Sequence, residues 1–186
     1  VLSEQENGRL IAVSDETDHR RAIANAVENR RNVLGEGAAF IVLESEAAVL
    51  SRNARKYAEI VEYHSSFDYD NVEDTTRRSV NIAGDAYERF KPAMSPGKKV
   101  AYLSAYTTSG QLQESEQPML EKLQRENDAY PLCHKAYTGD MKAASGVMGA
   151  SIASQILYGD LFPAEAAPGA YPTGFDYALV STAHEG

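Results

Sequence analysis

Lys135-Ala136-Tyr137-Thr138-Gly139-Asp140-Met141-Lys142-Ala143-Ala144-Ser145-Gly146 is the stretch whose reading decides the fold. A lysine, a glycine and an aspartate are followed at once by small residues. Ala143, Ala144, Gly146, Gly149, Ala150, Ala153 and Ser154 continue the series, with Val147, Met148, Ile152 and Ile156 between them. The pattern predicts a helix over 141–158 that is small or apolar on nearly every side, and such a helix is usually buried. Each helical glycine costs about 1 kcal/mol relative to alanine, so close packing against other backbone is the simplest compensation. A chain of 186 residues has few elements with which to surround such a helix. Another polypeptide is therefore expected to help bury it.

Working outward, Val100-Ala101-Tyr102-Leu103-Ser104-Ala105 reads as a strand, and Ser115 is placed to cap a helix through about 126. A strand near 131–136 leads into the small-residue helix. Upstream, Gly35-Glu36-Gly37 introduces Ala38-Ala39-Phe40-Ile41-Val42-Leu43-Glu44, a continuous apolar run typical of a strand buried on both faces. Ser45 caps a helix over about 46–54, and Tyr57 to Tyr63 alternates as the next strand. A helix over about 74–91 must end near Pro92, and Ser95-Pro96-Gly97 forms a turn. The prolines and glycines from Pro163 to Gly174 break the chain before a last strand over 177–181. Residues 1–33 are polar and charged, with Asp15-Glu16-Thr17-Asp18 a helix start or an exposed loop. Alternating strands and helices imply one α/β layered domain over 1–186.

The net charge of -9 disfavours a broad nucleic-acid footprint, which needs clustered Lys and Arg. Arg20-Arg21 and Arg30-Arg31 are flanked by acids, and with Lys98-Lys99 they read as solvated surface. No apolar run approaches the ~20 residues needed to span a bilayer, and Val-Leu-Ser-Glu-Gln-Glu lacks the regions of a signal peptide. The single Cys133 excludes an internal disulfide and suits a reducing cytoplasm. The start at Val1 and the end at Gly186 read as cuts.

Three windows resemble β-ketoacyl synthases in the right order. Gly35-Glu36-Gly37-Ala38 is similar to that family's Gly-Glu-Gly-Ala approach to its second half. Val100 to Ala105 sits where the family has a Val-Asp-Tyr-Val-Asn-Ala strand, followed by Ala105-Tyr106-Thr107-Thr108-Ser109-Gly110-Gln111-Leu112-Gln113-Glu114 for its Ala-His-Gly-Thr-Gly-Thr-x-x-x-Asp/Glu. Lys135 to Asp140 resembles Lys-Ser-Asn-x-Gly-His. The resemblance implies the C-terminal half of a thiolase-like layered α-β-α-β-α fold, with a mixed sheet around a buried small-residue helix. The N-terminal half, with the cysteine nucleophile and most of the dimer interface, is then not in this sequence, in keeping with a fragment or one product of a split gene.

Both family histidines are replaced, by Tyr106 and Asp140. Condensation needs a thiolate for the acyl chain and neutral imidazoles that donate to a developing enolate. Tyr106 can still donate, but an ionised Asp140 only accepts. Lys135 matches the family lysine and offers Asp140 a counter-charge that would keep it ionised, and Glu114 is read as a carboxylate fixing its loop. The resemblance therefore implies degenerate active-site positions at Tyr106, Glu114, Lys135 and Asp140, with no catalytic residue and no cofactor.

Within the family the pattern is similar to the chain-length factor, or ketosynthase-β subunit, of type II polyketide systems. The resemblance implies a non-catalytic cytoplasmic subunit that pairs with an active ketosynthase and helps shape the chain tunnel. Its partners would be that ketosynthase, the complementary N-terminal half and, through the complex, an acyl carrier protein. The alternative is a divergent condensing or decarboxylating enzyme whose cysteine lies on the missing half. The chain departs from the family after its last strand, where Thr182-Ala183-His184-Glu185-Gly186 replaces a Gly-Phe-Gly-Gly turn.

Other constellations read more plainly. Cys133 and His134 are adjacent on an expected strand, where neighbours point to opposite faces, so a nucleophile and base pair is disfavoured. His19, His64, His134 and His184 are scattered without metal-ligand spacing. Gly35-Glu36-Gly37 precedes a strand and not a helix, unlike a phosphate cradle.

Overall fold

In the computed structural model the described residues are 3–6, 9–12, 35–65, 84–104, 116–159 and 172–182. They form a mixed α/β structure. Strands β1 (Ser3–Glu6) and β2 (Arg9–Ala12) pair as an antiparallel ribbon, which the polar reading of residues 1–33 did not anticipate. Next come helix α1 (Glu46–Ser51), the helical residues 84–90 (α2), and a single 3₁₀ turn at Lys91–Ala93. Strand β3 (Lys99–Leu103), helix α3 (Gln117–Glu126), strand β4 (Asp128–Leu132), the short helix α4 (Lys135–Thr138), helix α5 (Ala144–Gly159) and strand β5 (Tyr177–Val180) complete the set.

Strands β4, β3 and β5 make a three-stranded sheet in that order, parallel throughout. Among the described residues this replaces the expected mixed sheet, since the antiparallel ribbon is separate from it. The central strand carries the core. Val100, Ala101, Tyr102 and Leu103 are all fully buried, as their continuous apolar run requires of a strand covered on both faces. Period-two alternation then divides them. Val100 and Tyr102 pack with Tyr87 of α2, with Met119, Leu120 and Leu123 of α3, and with Ala129. Ala101 and Leu103 pack with Ala153 and Ile156 of α5, together with Leu132 and Phe175. One helical layer lies on each face of the sheet.

The small-residue helix begins at Ala144 and not at 141, because residues 140–143 are taken up by a tight turn. Its buried residues, Ser145, Gly149, Ala153 and Ile156, form one stripe at helical spacing. Most of its other positions are half-buried. Gly149 marks a close approach: a Cβ there would lie 2.8 Å from Val180 Cγ1 and 3.3 Å from His134 Nε2.

Several expectations are corrected. The expected strand over 38–44 is not a strand: Phe40 is 91% and Val42 87% exposed. Nor is the segment 57–63, where Ile60, Val61 and Tyr63 are exposed. Both are β-prone by composition, but a strand also needs a paired edge and a packed face, and propensity alone does not supply them. The arm is tied down at Gly35, whose N–H donates to the Asp140 carbonyl at 3.1 Å, and at Tyr57, whose ring lies 4.8 Å from that of Tyr158.

The helix after Ser45 ends at Ser51, three residues earlier than expected. Ser45 does cap it, its Oγ accepting from Ala48 N–H at 3.3 Å. The strand expected near 131–136 lies at Asp128–Leu132, with Pro131 tolerated at the edge of the described sheet. Cys133 and His134 therefore fall in the turn after β4, not on a strand. Ser115, the proposed cap of α3, and the first part of the helix expected over 74–91 lie outside the described residues. The N-cap position of α3 is Glu116, whose side chain makes no cap hydrogen bond.

Candidate functional site

All three parallel strands deliver polar side chains at their carboxyl ends. Ser104 follows β3, Cys133, His134 and Lys135 follow β4, and Ser181 follows β5. Open parallel sheets place their sites at this edge, where successive connections run to opposite sides of one strand. Here that strand is β3, because α3 leads from it to β4 while α5 leads from β4 to β5 beyond it.

Glu116 occupies the crevice between β3 and β5. It is 2% exposed, and it accepts hydrogen bonds from Ser104 Oγ and Ser181 Oγ, both at 2.6 Å. One carboxylate thus ties the start of α3 to the ends of two strands. The sequence reading missed all three residues. The signal was available in the polar positions that directly follow each apolar run.

Lys135 and Asp140 are brought together. Lys135 Nζ lies 3.3 Å from Asp140 Oδ1, with the lysine side chain 3% and the aspartate 20% exposed. The same oxygen accepts from Lys142 N–H and from Ser145 Oγ, each at 3.0 Å. Ser145 Oγ in turn accepts from Met141 N–H at 2.9 Å. The turn needs unusual backbone, with Gly139 at φ 70° and Lys142 at φ 52°, and the bond from the Lys142 N–H to the carboxylate two residues earlier holds it there. Burial alone would raise the Asp140 carboxyl. The Lys135 charge, the Ser145 hydroxyl and the Lys142 N–H outweigh it and hold the group below the usual carboxylate range. Asp140 is therefore an ionised acceptor, with one oxygen engaged by three donors.

The neighbouring candidates are inert as nucleophile and base. Burial, with the Glu116 charge adding to it, pushes the Cys133 thiol up to about 11, so it is not a thiolate at neutral pH. His134 is 2% exposed, and neither ring nitrogen has a hydrogen-bond partner among the described residues, Cys133 included. Burial, with the Lys135 charge second, pushes its imidazole down to about 4. The pairing of Cys133 with His134 is thus absent, although for a different reason from the strand geometry expected.

Tyr106 and Glu114 lie outside the described residues. No group of three or more His, Cys, Asp and Glu among the described residues is arranged to hold a metal ion. No described helix is long and apolar enough to cross a membrane. No protein-family model matches this chain, and no solved structure matches it.

Proposed function

We propose that this chain is the C-terminal half of a thiolase-like layered fold acting as a non-catalytic ketosynthase-like subunit, a chain-length factor of type II polyketide synthesis. It pairs with the complementary half and an active cytoplasmic ketosynthase, and helps shape the tunnel that holds the growing chain on its carrier protein. The Lys135–Asp140 pair carries the reading. An enolate-forming site needs a neutral hydrogen-bond donor at this position, whereas an ionised carboxylate repels the developing negative charge. The lysine and the two donors of the turn, Lys142 N–H and Ser145 Oγ, hold Asp140 in that charged state. The half-exposed sides of α5 and the outward apolar residues Phe40, Val42 and Leu43 suit a chain that is completed by other polypeptides.

The test is reconstitution with an active ketosynthase and the complementary half, comparing wild type with Asp140→Asn. A non-catalytic Asp140 predicts turnover within about threefold of wild type, measured on complexes of confirmed composition. A loss of a hundredfold or more, roughly 2.7 kcal/mol of barrier, with the complex intact, refutes the reading and favours the divergent condensing enzyme.

A further inference from the structure

We propose that His134 is an acid-sensitive catch: its neutral ring holds α5 against the sheet at Gly149, and protonating that ring releases the helix. The geometry is that of a fitted contact. The ring edge bearing Nε2 and Cε1 lies 3.3 and 3.5 Å from where a Cβ on residue 149 would sit, and Val180 Cγ1 lies 2.8 Å from the same point. The missing side chain of Gly149 is thus the space in which the imidazole and Val180 meet the helix. At 2% exposure the ring is sealed from solvent, and its nitrogens bond to no described group. A histidine in this position contributes shape and a protonatable atom, but no hydrogen bond among the described residues.

Among the described residues, the surroundings offer an imidazolium no free counter-charge. Its own turn supplies Lys135, a second cation, and Cys133, a neutral thiol. Helix α5 carries no ionisable side chain except Tyr158 at its far end, and β5 presents Val180. Among the described residues, two carboxylates of the same region are already engaged, Asp140 by Lys135 and Glu116 by Ser104 and Ser181. A buried charge without a partner is costly enough that the packing opens in preference to holding it. Burial also sets the direction of the pH effect. The folded ring sits at about 4, whereas an unfolded histidine titrates near ~6.5. The open state therefore takes the proton first. The contact is fully stabilising above about pH 6.5, and the closed-to-open ratio falls roughly tenfold per pH unit as pH drops toward the folded value.

Amide hydrogen exchange of the whole chain, read by mass spectrometry at about pH 7 and about pH 4.5 and corrected for intrinsic exchange rates, tests the catch. The wild type is expected to lose roughly ten- to a hundredfold protection in residues 144–159, with a smaller change in β3. His134→Leu, which fills the same space and cannot titrate, is expected to keep its protection across that interval. An equal loss in both proteins, or none in the wild type, overturns the proposal. Should His134→Leu not fold, proton NMR of the wild-type imidazole decides the matter. A ring that protonates only as helix protection is lost supports the catch. A ring that titrates at an ordinary histidine value, with the helix still protected, refutes it.

Discussion

Removing both partners of the Lys135–Asp140 pair should cost far less than the two single removals added together. Two unit charges at 3.3 Å attract by about 5 kcal/mol in a medium of effective dielectric ~20, against which desolvation must be set. Asp140→Asn keeps an oxygen for Lys142 N–H and Ser145 Oγ but strands an ammonium that is 3% exposed. The expected loss is about 3 to 4 kcal/mol. Lys135→Met leaves a carboxylate that retains those two donors and some access to water, and should cost about 2 kcal/mol. The double variant has no stranded charge and should also cost about 2 kcal/mol, giving a coupling of about 3 to 4 kcal/mol. Urea unfolding of the four proteins near neutral pH measures this directly. A coupling below about 0.5 kcal/mol would mean that the pair behaves as a surface contact, and the claim that Lys135 fixes the charge of Asp140 would fail. The pH dependence supplies a second check. Because the folded carboxyl is held low, its contribution is present above the ordinary aspartate value and is lost as pH falls through the folded value. Wild type and Asp140→Asn should therefore converge in stability in strong acid.

Further outcomes are expected at four positions. Gly149→Ala should destabilise the chain by about 1 to 2 kcal/mol in thermal or urea unfolding, since the new methyl would meet Val180 at 2.8 Å and overpacking outweighs the gain in helix propensity. Gly146→Ala meets only the side chain of Thr182, an exposed residue, with Cγ2 at 3.2 Å, and should be neutral or stabilising by up to about 1 kcal/mol in the same assay. Glu116→Ala should cost about 3 kcal/mol, because it removes the acceptor shared by Ser104 Oγ and Ser181 Oγ and leaves a cavity. Glu116→Gln should cost about 1 kcal/mol, because Ser104 and Ser181 can each still bond to the amide. Phe40→Lys should change the stability of the isolated chain by less than about 0.5 kcal/mol, while lowering its binding of a hydrophobic dye.

What the sequence disclosed depended on whether a segment's partners lie among the described elements. Val100 to Leu103 was legible because a fully apolar run of that length has few uses other than a strand covered on both sides, and β3 is covered on both sides. The small-residue helix was legible for a related reason, as Gly149 needs something to touch and touches Val180 and His134. The runs at 38–44 and 57–63 are β-prone as β3 is but are not strands, since periodicity reports what a segment is suited to and not whether an edge is present. The ion pair was expected because Lys135 stands at the lysine of the resembled motif and carries a charge opposite to that of Asp140, and the two side chains do meet. Glu116 was not foreseen. Its two partners lie on strands far apart in sequence, and only the sheet order brings Ser104 and Ser181 to one carboxylate.

The position of β3 between two parallel neighbours also orders events in time. Val100 pairs with Ala129 on one side and with Tyr177 on the other. Closing the longer loop costs roughly 1 kcal/mol more in chain entropy, and it must be met before α5 and β5 return anything. The unit of β3, α3 and β4 is thus the natural nucleus, with β5 joining after the barrier. Changes in the nucleus slow folding, whereas changes in late elements mainly speed unfolding. Damage at Leu123 would yield a chain slow to reach its native form, and damage at Val180 one that reaches it readily and does not keep it.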